Sequence, residues 1–470
     1  MHKRSIRTDA VSFLVPIAMF GWIPFVLYLF ARFKGQRAVI AAFILAWLFL
    51  PVASYGLSGL PDYTKMFATC IGVLLAAATY ESHRFSGLRP RFADVPMIIF
   101  CICPFISSMA NGLGAYDGAS EILRQTVAWG LPYFIGRVFL GGPKAMEELA
   151  LGIFVGGLLY VPFCLYEARF SPQLHRMVYG FFAHDDFSQT IRYGGYRPMV
   201  FMEHGLMVGM WMTSASLCGV WLFLSGVLQR YFQGKSAGLL GLQLVTMIMV
   251  KSTGAIGLFL IGTVALSFAR FAKSGIVVLL LCSIPIAYFV ARASAGWDGN
   301  NLIDTLASYN EDRAGSLRFR FDNEDMLIEK ARIRQWLGWG GWGRSRIYND
   351  EGEDITVTDG LWIIIYGKYG LLGLYAMTAS LLLPVFLTLR RFPAKSWGTP
   401  RAAPSAVIAV LLTLYMVDNL LNAMINPMFI LMAGALTSTA LQPQQVDLQQ
   451  EKPSPVTTAG SVALSRPRFL

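Results

Sequence analysis

Charge is what this 470-residue sequence lacks most: only 14% of its residues are Asp, Glu, Lys or Arg, against about a quarter in an ordinary soluble domain. With 55% apolar residues and a mean hydropathy of +0.51, this shortage excludes a water-soluble fold. Cysteine is sparse as well. The six cysteines, at 70, 101, 103, 164, 218 and 282, all sit in apolar stretches, where a thiol behaves as a small hydrophobe, so no disulfide framework is implied. Cys101 and Cys103 have neither His nor further Cys nearby, which argues against a metal site. No internal repeat is visible, which weakens a transporter reading, because many transporters are built from paired repeats. No signal-peptide cleavage pattern stands out either, so the first apolar run is expected to be a retained anchor. The net charge of +11 is no sign of a nucleic-acid binder, since in such a chain positive charge records which loops stay in the cytoplasm.

What is present is a succession of apolar runs, most of them long enough to cross roughly 30 Å of hydrocarbon as a helix. They fall at 10–31, 38–56, 65–80, 94–110, 119–140, 148–166, 199–224, 237–250, 254–270, 275–291, 360–389, 403–421 and 424–441. Only Lys251-Ser252-Thr253-Gly254 separates 237–250 from 254–270. These two runs form either a hairpin or one long helix. The expected fold is therefore all-α, a polytopic membrane bundle of 12–13 transmembrane helices. Four regions follow: an N-terminal bundle over 1–291 that includes an outer loop at 167–198, a small helical extracytoplasmic cap over 292–359, C-terminal transmembrane helices over 360–441, and a disordered cytoplasmic tail over 442–470.

Sidedness follows from the short loops. Those at 32–37, 81–93, 137–148, 229–236, 270–274 and 390–401 carry sixteen Lys and Arg, whereas those at 57–64, 111–118, 251–253 and 422–423 carry one. The first set is expected to face the cytoplasm. The first span is flanked by basic residues on both sides and can be placed either way. The segment 292–358 holds twelve of the 28 acidic residues and nine basic ones, so it stays out of lipid, with helical pieces such as 323–336.

Candidate chemistry concentrates on the outer side. Arg197 precedes a span, and a helical continuation would put His204 two turns and about 10 Å deeper on the same face, with Glu203 rotated by about 100°. Ionisable groups at such depth point into polar cavities. The alternative is a snorkelling Arg and a His bonded to a backbone carbonyl. Arg124 lies near the outer end of its span, where positive-inside bias would not place it, though an ion pair with Glu121 is the plain alternative. Arg137, at the other end, reads as a topological anchor.

In the cap, Ser316-Leu-Arg318-Phe-Arg320 and Asn323-Glu-Asp325 precede Arg332, Arg334 and Gly338-Trp-Gly-Gly-Trp-Gly-Arg344-Ser-Arg346. Guanidinium groups grip phosphate oxygens bidentately, and glycine lets a backbone come close to a ligand. The glycine run has no Lys-Ser/Thr ending, so it is not a nucleotide P-loop. Its tryptophans either stack on sugar rings or sit in the interfacial belt, and the belt is expected for at least one. Asp359, at the start of the next span, is either a helix cap or a general base. Asp418, Asn419, Asn422 and Asn426 read as helix-packing or capping groups. His184-Asp185-Asp186 is a poor divalent-cation site, because three adjacent residues rarely converge on one ion.

This layout resembles the O-antigen ligase and O-antigen polymerase superfamily, polytopic transferases of undecaprenyl-diphosphate-linked glycans. The resemblance in residues is confined to about 192–210, 250–256 and 315–375. Arg197 matches the family's Arg before a span, and Lys251-Ser252-Thr253-Gly254 roughly matches its Ser-Arg-Gly-like break. Arg318 or Arg320 with Gly338-Trp-Gly-Gly-Trp-Gly matches its arginine-bearing loop, and Gly370-Leu-Leu-Gly-Leu its closing motif. Where the family has a His-Asn pair, this chain has Asp359-Gly360.

The resemblance implies that Arg124, Arg197, Arg318, Arg320 and Arg344 bind the diphosphate and that Asp359, or else His204, is the base. It implies no cofactor and no metal, because the diphosphate ester supplies the energy and arginines meet the developing charge. Expected partners are the lipid-linked glycan, membrane lipid, and polysaccharide export and chain-length proteins, in the bacterial inner membrane. Polymerase and ligase differ only in acceptor, and polymerase of an exported polysaccharide is favoured. A lipid-linked glycan flippase and a non-catalytic scaffold of a secretion complex are the competing classes.

Overall fold

The computed structural model describes residues 12–442 apart from Ser58, Leu88, Asp185 and Ala295, with the side chains of Asp312 and Arg313 also left out. The chain is almost entirely helical. In hydrocarbon a helix satisfies its own N–H and C=O groups within one segment, which is why long apolar runs with few charges adopt it. Seven helices among the described residues are long and apolar enough to cross a membrane, and four shorter apolar helices accompany them. The main helices are α1 (Leu14–Arg32), α2 (Gly35–Phe49), α3 (Lys65–Tyr80), α4 (Val95–Ala110), α5 (Ala115–Gln125), α6 (Leu131–Phe139), α7 (Pro143–Phe170), α8 (Gly205–Leu224), α9 (Ser236–Met249), α10 (Thr253–Phe271), α11 (Ile276–Phe289), α12 (Glu311–Ile333), α13 (Leu361–Arg391), α14 (Ala403–Asp418) and α15 (Pro427–Leu441). Each of the thirteen apolar runs falls on helix. The expected tail, from residue 443 on, and Lys3, Arg4 and Arg7 lie outside the described residues.

Several runs are shaped differently from the expectation. The run at 119–140 is two helices, α5 and α6, joined by a π-helical turn at Thr126–Gly130, and α11 ends in a second π turn at Val290–Ser294. The break at 251–254 is real, with Lys251 at φ 55. Both α9 and α10 pack on α8. The cap helix α12 is longer than the expected 323–336 piece. Inside α13 the helix is broken at Gly370 (φ 64, ψ −163).

Small residues set the closest crossing. A Cβ on Gly434 would stand 1.9 Å from the Tyr133 carbonyl oxygen, and one on Gly136 would stand 2.2 Å from that of Leu431. Helices α6 and α15 therefore touch backbone to backbone, as membrane helices do where glycine permits. Beside this crossing Arg137 makes a buried bidentate pair with Asp94, at 2.7 and 2.9 Å. Arg137 is thus a packing element as well as a charge at a helix end.

One polar hub fixes α12 against the bundle. Arg292, fully buried, pairs with Glu324 at 3.3 Å and Asp325 at 3.1 Å, and donates to the carbonyls of Trp297 (2.8 Å) and Phe321 (3.1 Å). Glu324 also accepts from the Tyr288 hydroxyl (2.7 Å) and from Trp362 Nε1 (3.1 Å). Three elements, the end of α11, α12 and the start of α13, are thereby locked together.

Candidate functional site

The stretch from Arg197 to His204 is not helical; α8 begins at Gly205. Pro198 has no N–H to give a helix, and Val200 sits at φ 53. The buried carboxylate of Glu167, at the end of α7, instead captures the amides of Leu174 (2.8 Å), Met199 (2.8 Å) and Val200 (2.7 Å). Arg197 is buried, and its own amide donates to the Thr190 carbonyl at 2.7 Å. Its aliphatic stem lies against Gly205, where a Cβ would come within 2.3 Å of Arg197 Cδ. The expected spacing of two helical turns between Arg197 and His204 is therefore replaced by a clamped turn, closed by the Met202 amide on the Met199 carbonyl at 2.9 Å, that folds Arg197 back over the helix start.

His204 caps α8: its Nδ1 accepts from the Leu206 amide at 3.1 Å, which leaves Nε2 to donate to Gln189 Oε1 at 2.9 Å. Burial, reinforced by His184, Arg197, Arg192 and Arg320, pulls the imidazole down to about 4. Both ring nitrogens are engaged, and the ring stands 5.2 Å from that of His184. The charges of Arg197, Arg192 and Arg320, brought from far apart in the chain, all reach the His204 ring. A short hairpin, Ile191–Arg192 paired with Gly195–Tyr196, overlies the α9–α10 break, where Tyr193 and Thr253 hydroxyls meet at 2.7 Å.

Asp359 is not a helix cap. The residue at the cap position is Gly360, which makes no side-chain bond, and the first amide of α13, that of Leu361, donates to the Asn419 carbonyl at 3.0 Å. Asp359 Oδ2 instead lies 3.2 Å from Arg320 Nε, with the two side chains 36% and 28% exposed, so the pair is open to a ligand. Arg320 also donates to the Leu421 carbonyl at 3.1 Å. A Cβ at 360 would stand 2.5 Å from the Leu420 carbonyl oxygen. Glycine there lets Asp359 run tight against the 418–421 turn.

The same face of α12 holds the irregular segment that carries Asp359. Asn323 and Glu324 lie three and four residues beyond Arg320, on one side of the helix. Asn323 Oδ1 accepts the Val357 amide at 2.8 Å and Glu324 accepts Trp362 Nε1, so the chain is tied on both sides of Asp359. Arg292 and this pairing were not apparent from the sequence; an arginine at the very end of an apolar run was the available signal.

The remaining expected residues lie elsewhere. Arg318, two positions from Arg320 and so on the opposite side of α12, is exposed. Arg124 pairs with Glu121 at 3.2 Å. Arg344 is exposed in the glycine loop. This loop packs on the break in α13: Trp339 and Gly340 amides donate to the Gly367 and Lys368 carbonyls (both 2.9 Å), and the Leu371 amide donates to Gln335 (2.7 Å). Arg346, between the two regions, pairs with Asp354 and donates to Thr358 Oγ1 at 3.1 Å. Asn426 caps α15 through the Met428 amide (3.0 Å), and Asn422 donates to Asp418 (2.8 Å). The five arginines expected to form one clamp are therefore dispersed: Arg320 pairs with Asp359, Arg197 is buried at the start of α8, Arg318 points away from Arg320 on α12, and Arg124 and Arg344 lie by the glycine loop. No protein-family model matches the sequence, and no curated protein matches it.

Proposed function

We propose that the chain is a membrane glycosyltransferase that polymerises or transfers undecaprenyl-diphosphate-linked glycan at the outer face of the bacterial inner membrane, in exopolysaccharide or O-antigen synthesis. In this reading the thirteen apolar runs form 12–13 spans and the segment 292–359 is the extracytoplasmic cap. The observation that carries the reading is the contact of Asp359 with Arg320, whose charge, like that of Arg197, reaches His204. Asp359 takes the proton of the acceptor hydroxyl as that oxygen bonds to the anomeric carbon. The bond from that carbon to the diphosphate oxygen breaks, and its electron pair leaves with the diphosphate. Arg320 and Arg197 meet the growing negative charge. His204, with both nitrogens occupied, holds the start of α8 in place. Ligation to a lipid A core is the same chemistry with another acceptor.

The test is the glycan profile of cells carrying Arg197→Ala or Asp359→Ala at unchanged protein level. Loss of long product in both is expected, and wild-type profiles in both overturn the reading. One observation favours a second reading. The break of α13 at Gly370, covered by a loop, is the kind of interrupted helix that transporters use around a substrate. A flippase would move the lipid-linked glycan across a vesicle membrane without forming a new glycosidic bond.

A further inference from the structure

Four segments distant in sequence meet beside the break in α13, and most of their polar groups are satisfied. The Ser107 hydroxyl (3.0 Å) and the Gly340 amide (2.9 Å) donate to the Lys368 carbonyl, and the Asn111 amide group donates to the Gly338 carbonyl at 2.9 Å. The carboxylates are taken too: Glu121 by Arg124, Asp354 by Arg346, and Asp117 by Ser108 and Trp342.

What is left over is cationic. The charges of Glu121, Arg124 and Arg346 all act on the partly buried Lys368 ammonium. Among the described residues, however, that ammonium has no hydrogen bond or ion pair to protein. The ammonium is not sealed from solvent, so its three donors are open to a ligand. Beside it the loop turns through positive φ at Gly340 (79), Trp342 (61) and Gly343 (74). Trp342 holds a conformation that a bulky residue keeps only when its surroundings enforce it. Successive amides in such turns make anion-binding concavities, and among the described residues those of Gly341, Trp342 and Gly343 donate to no protein acceptor.

We infer that Lys368, Arg124 and Arg346, with the 341–343 amides, form a second binding site for a phosphate-class oxyanion, next to the Asp359–Arg320 centre and separate from it. Arg344 is exposed in the same turn. Arg346 links the two places through Thr358, the residue before Asp359. The oxyanion belongs either to an anionic phospholipid headgroup or to a diphosphate. The site stands whatever reaction the chain performs.

The test uses the full chain in an Arg320→Gln background, which weakens the other centre equally in every variant compared. Two probes are titrated: inorganic pyrophosphate by calorimetry in detergent, and phosphatidylglycerol against phosphatidylcholine in nanodiscs by native mass spectrometry. Adding Lys368→Met or Arg124→Gln is expected to weaken one probe at least about tenfold, the loss of one charge-assisted hydrogen bond. Weakening of pyrophosphate assigns the site to a diphosphate, and weakening of phosphatidylglycerol alone assigns it to a lipid headgroup. No binding of either probe, or affinities unmoved by both substitutions, overturns the inference. Arg124 is 55% exposed, so its variant carries the test alone if the Lys368 variant does not accumulate.

Discussion

Asp359 and Arg320 meet at 3.2 Å although one leads into α13 and the other rides on the cap helix α12. This contact joins the two elements that the proposed chemistry needs together. A carboxylate that accepts a proton works beside a guanidinium that meets the leaving charge, and both remain accessible. Replacing Arg320 with Lys keeps a charge but loses the planar fork. Arg320→Lys is expected to retain a small fraction of product, and Arg320→Ala and Asp359→Asn to fall by about 10²- to 10⁴-fold, the usual span for losing a positioned acid–base group. Initial rates with a lipid-linked substrate check this, and wild-type rates in Asp359→Asn contradict it.

The hub behind that pair is expected to govern stability. Arg292→Met leaves Glu324 buried without its cation, and removing one partner of a buried pair costs about 3–5 kcal/mol. Asn323→Ala frees the Val357 amide, at about 1–3 kcal/mol. Both should lower the midpoint of thermal unfolding in detergent, Arg292→Met by more. An unchanged midpoint for Arg292→Met contradicts the role assigned to the hub.

Acid should loosen the start of α8. His204 titrates at about 4 in the folded chain against an ordinary 6.5, so the unfolded chain takes up the proton first. The stability this group contributes is whole above pH 6.5 and is lost as pH falls toward about 4, because a protonated Nδ1 cannot accept the Leu206 amide. His175, likewise near 4, acts in the same direction. The comparison is therefore with His204→Asn, which keeps a cap and does not titrate. Its drop in melting temperature between pH 7 and pH 5 should be smaller than that of the wild type, and equal drops contradict the assignment.

The break in α13 tolerates no side chain. A Cβ at Gly370 would lie 2.3 Å from the Trp336 carbonyl carbon, and φ is 64 there. Gly370→Ala is expected to release the 335–340 loop and expose it to limited proteolysis, whereas Gly257→Ala, where nothing lies within 4 Å, should leave digestion unchanged. Protection of the loop in Gly370→Ala sinks this account of the break.

Hydrophobic length made the helices legible, because a run of twenty apolar residues has few other ways to satisfy its backbone. Their interruptions were less so. The turn at Thr126–Gly130 was marked only by Gly130-Leu-Pro132 at its end, where Pro132 has no N–H to return to residue 128, and the Gly370 break hid among glycines that fit a helix equally well. Helical spacing misjudged Arg197 and His204 because Glu167, thirty residues upstream, decides the path of that segment. Asp359 was legible as a candidate, yet its partner was not, since two-residue spacing on α12 sends Arg318 and Arg320 to opposite sides and only packing says which faces inward. Lys368 passed unremarked within Gly367-Lys-Tyr-Gly370, where only the fold shows that its ammonium is left over.

The most direct test is made with purified protein and a lipid-diphosphate-linked glycan, with product length read on a gel in the presence of a chelator. The account expects the wild-type chain to build longer glycan and release lipid diphosphate, and Asp359→Asn protein with an unchanged melting temperature to do neither. Product of wild-type length from the Asp359→Asn protein, or lipid-linked glycan moved across a vesicle with no new glycosidic bond, contradicts it.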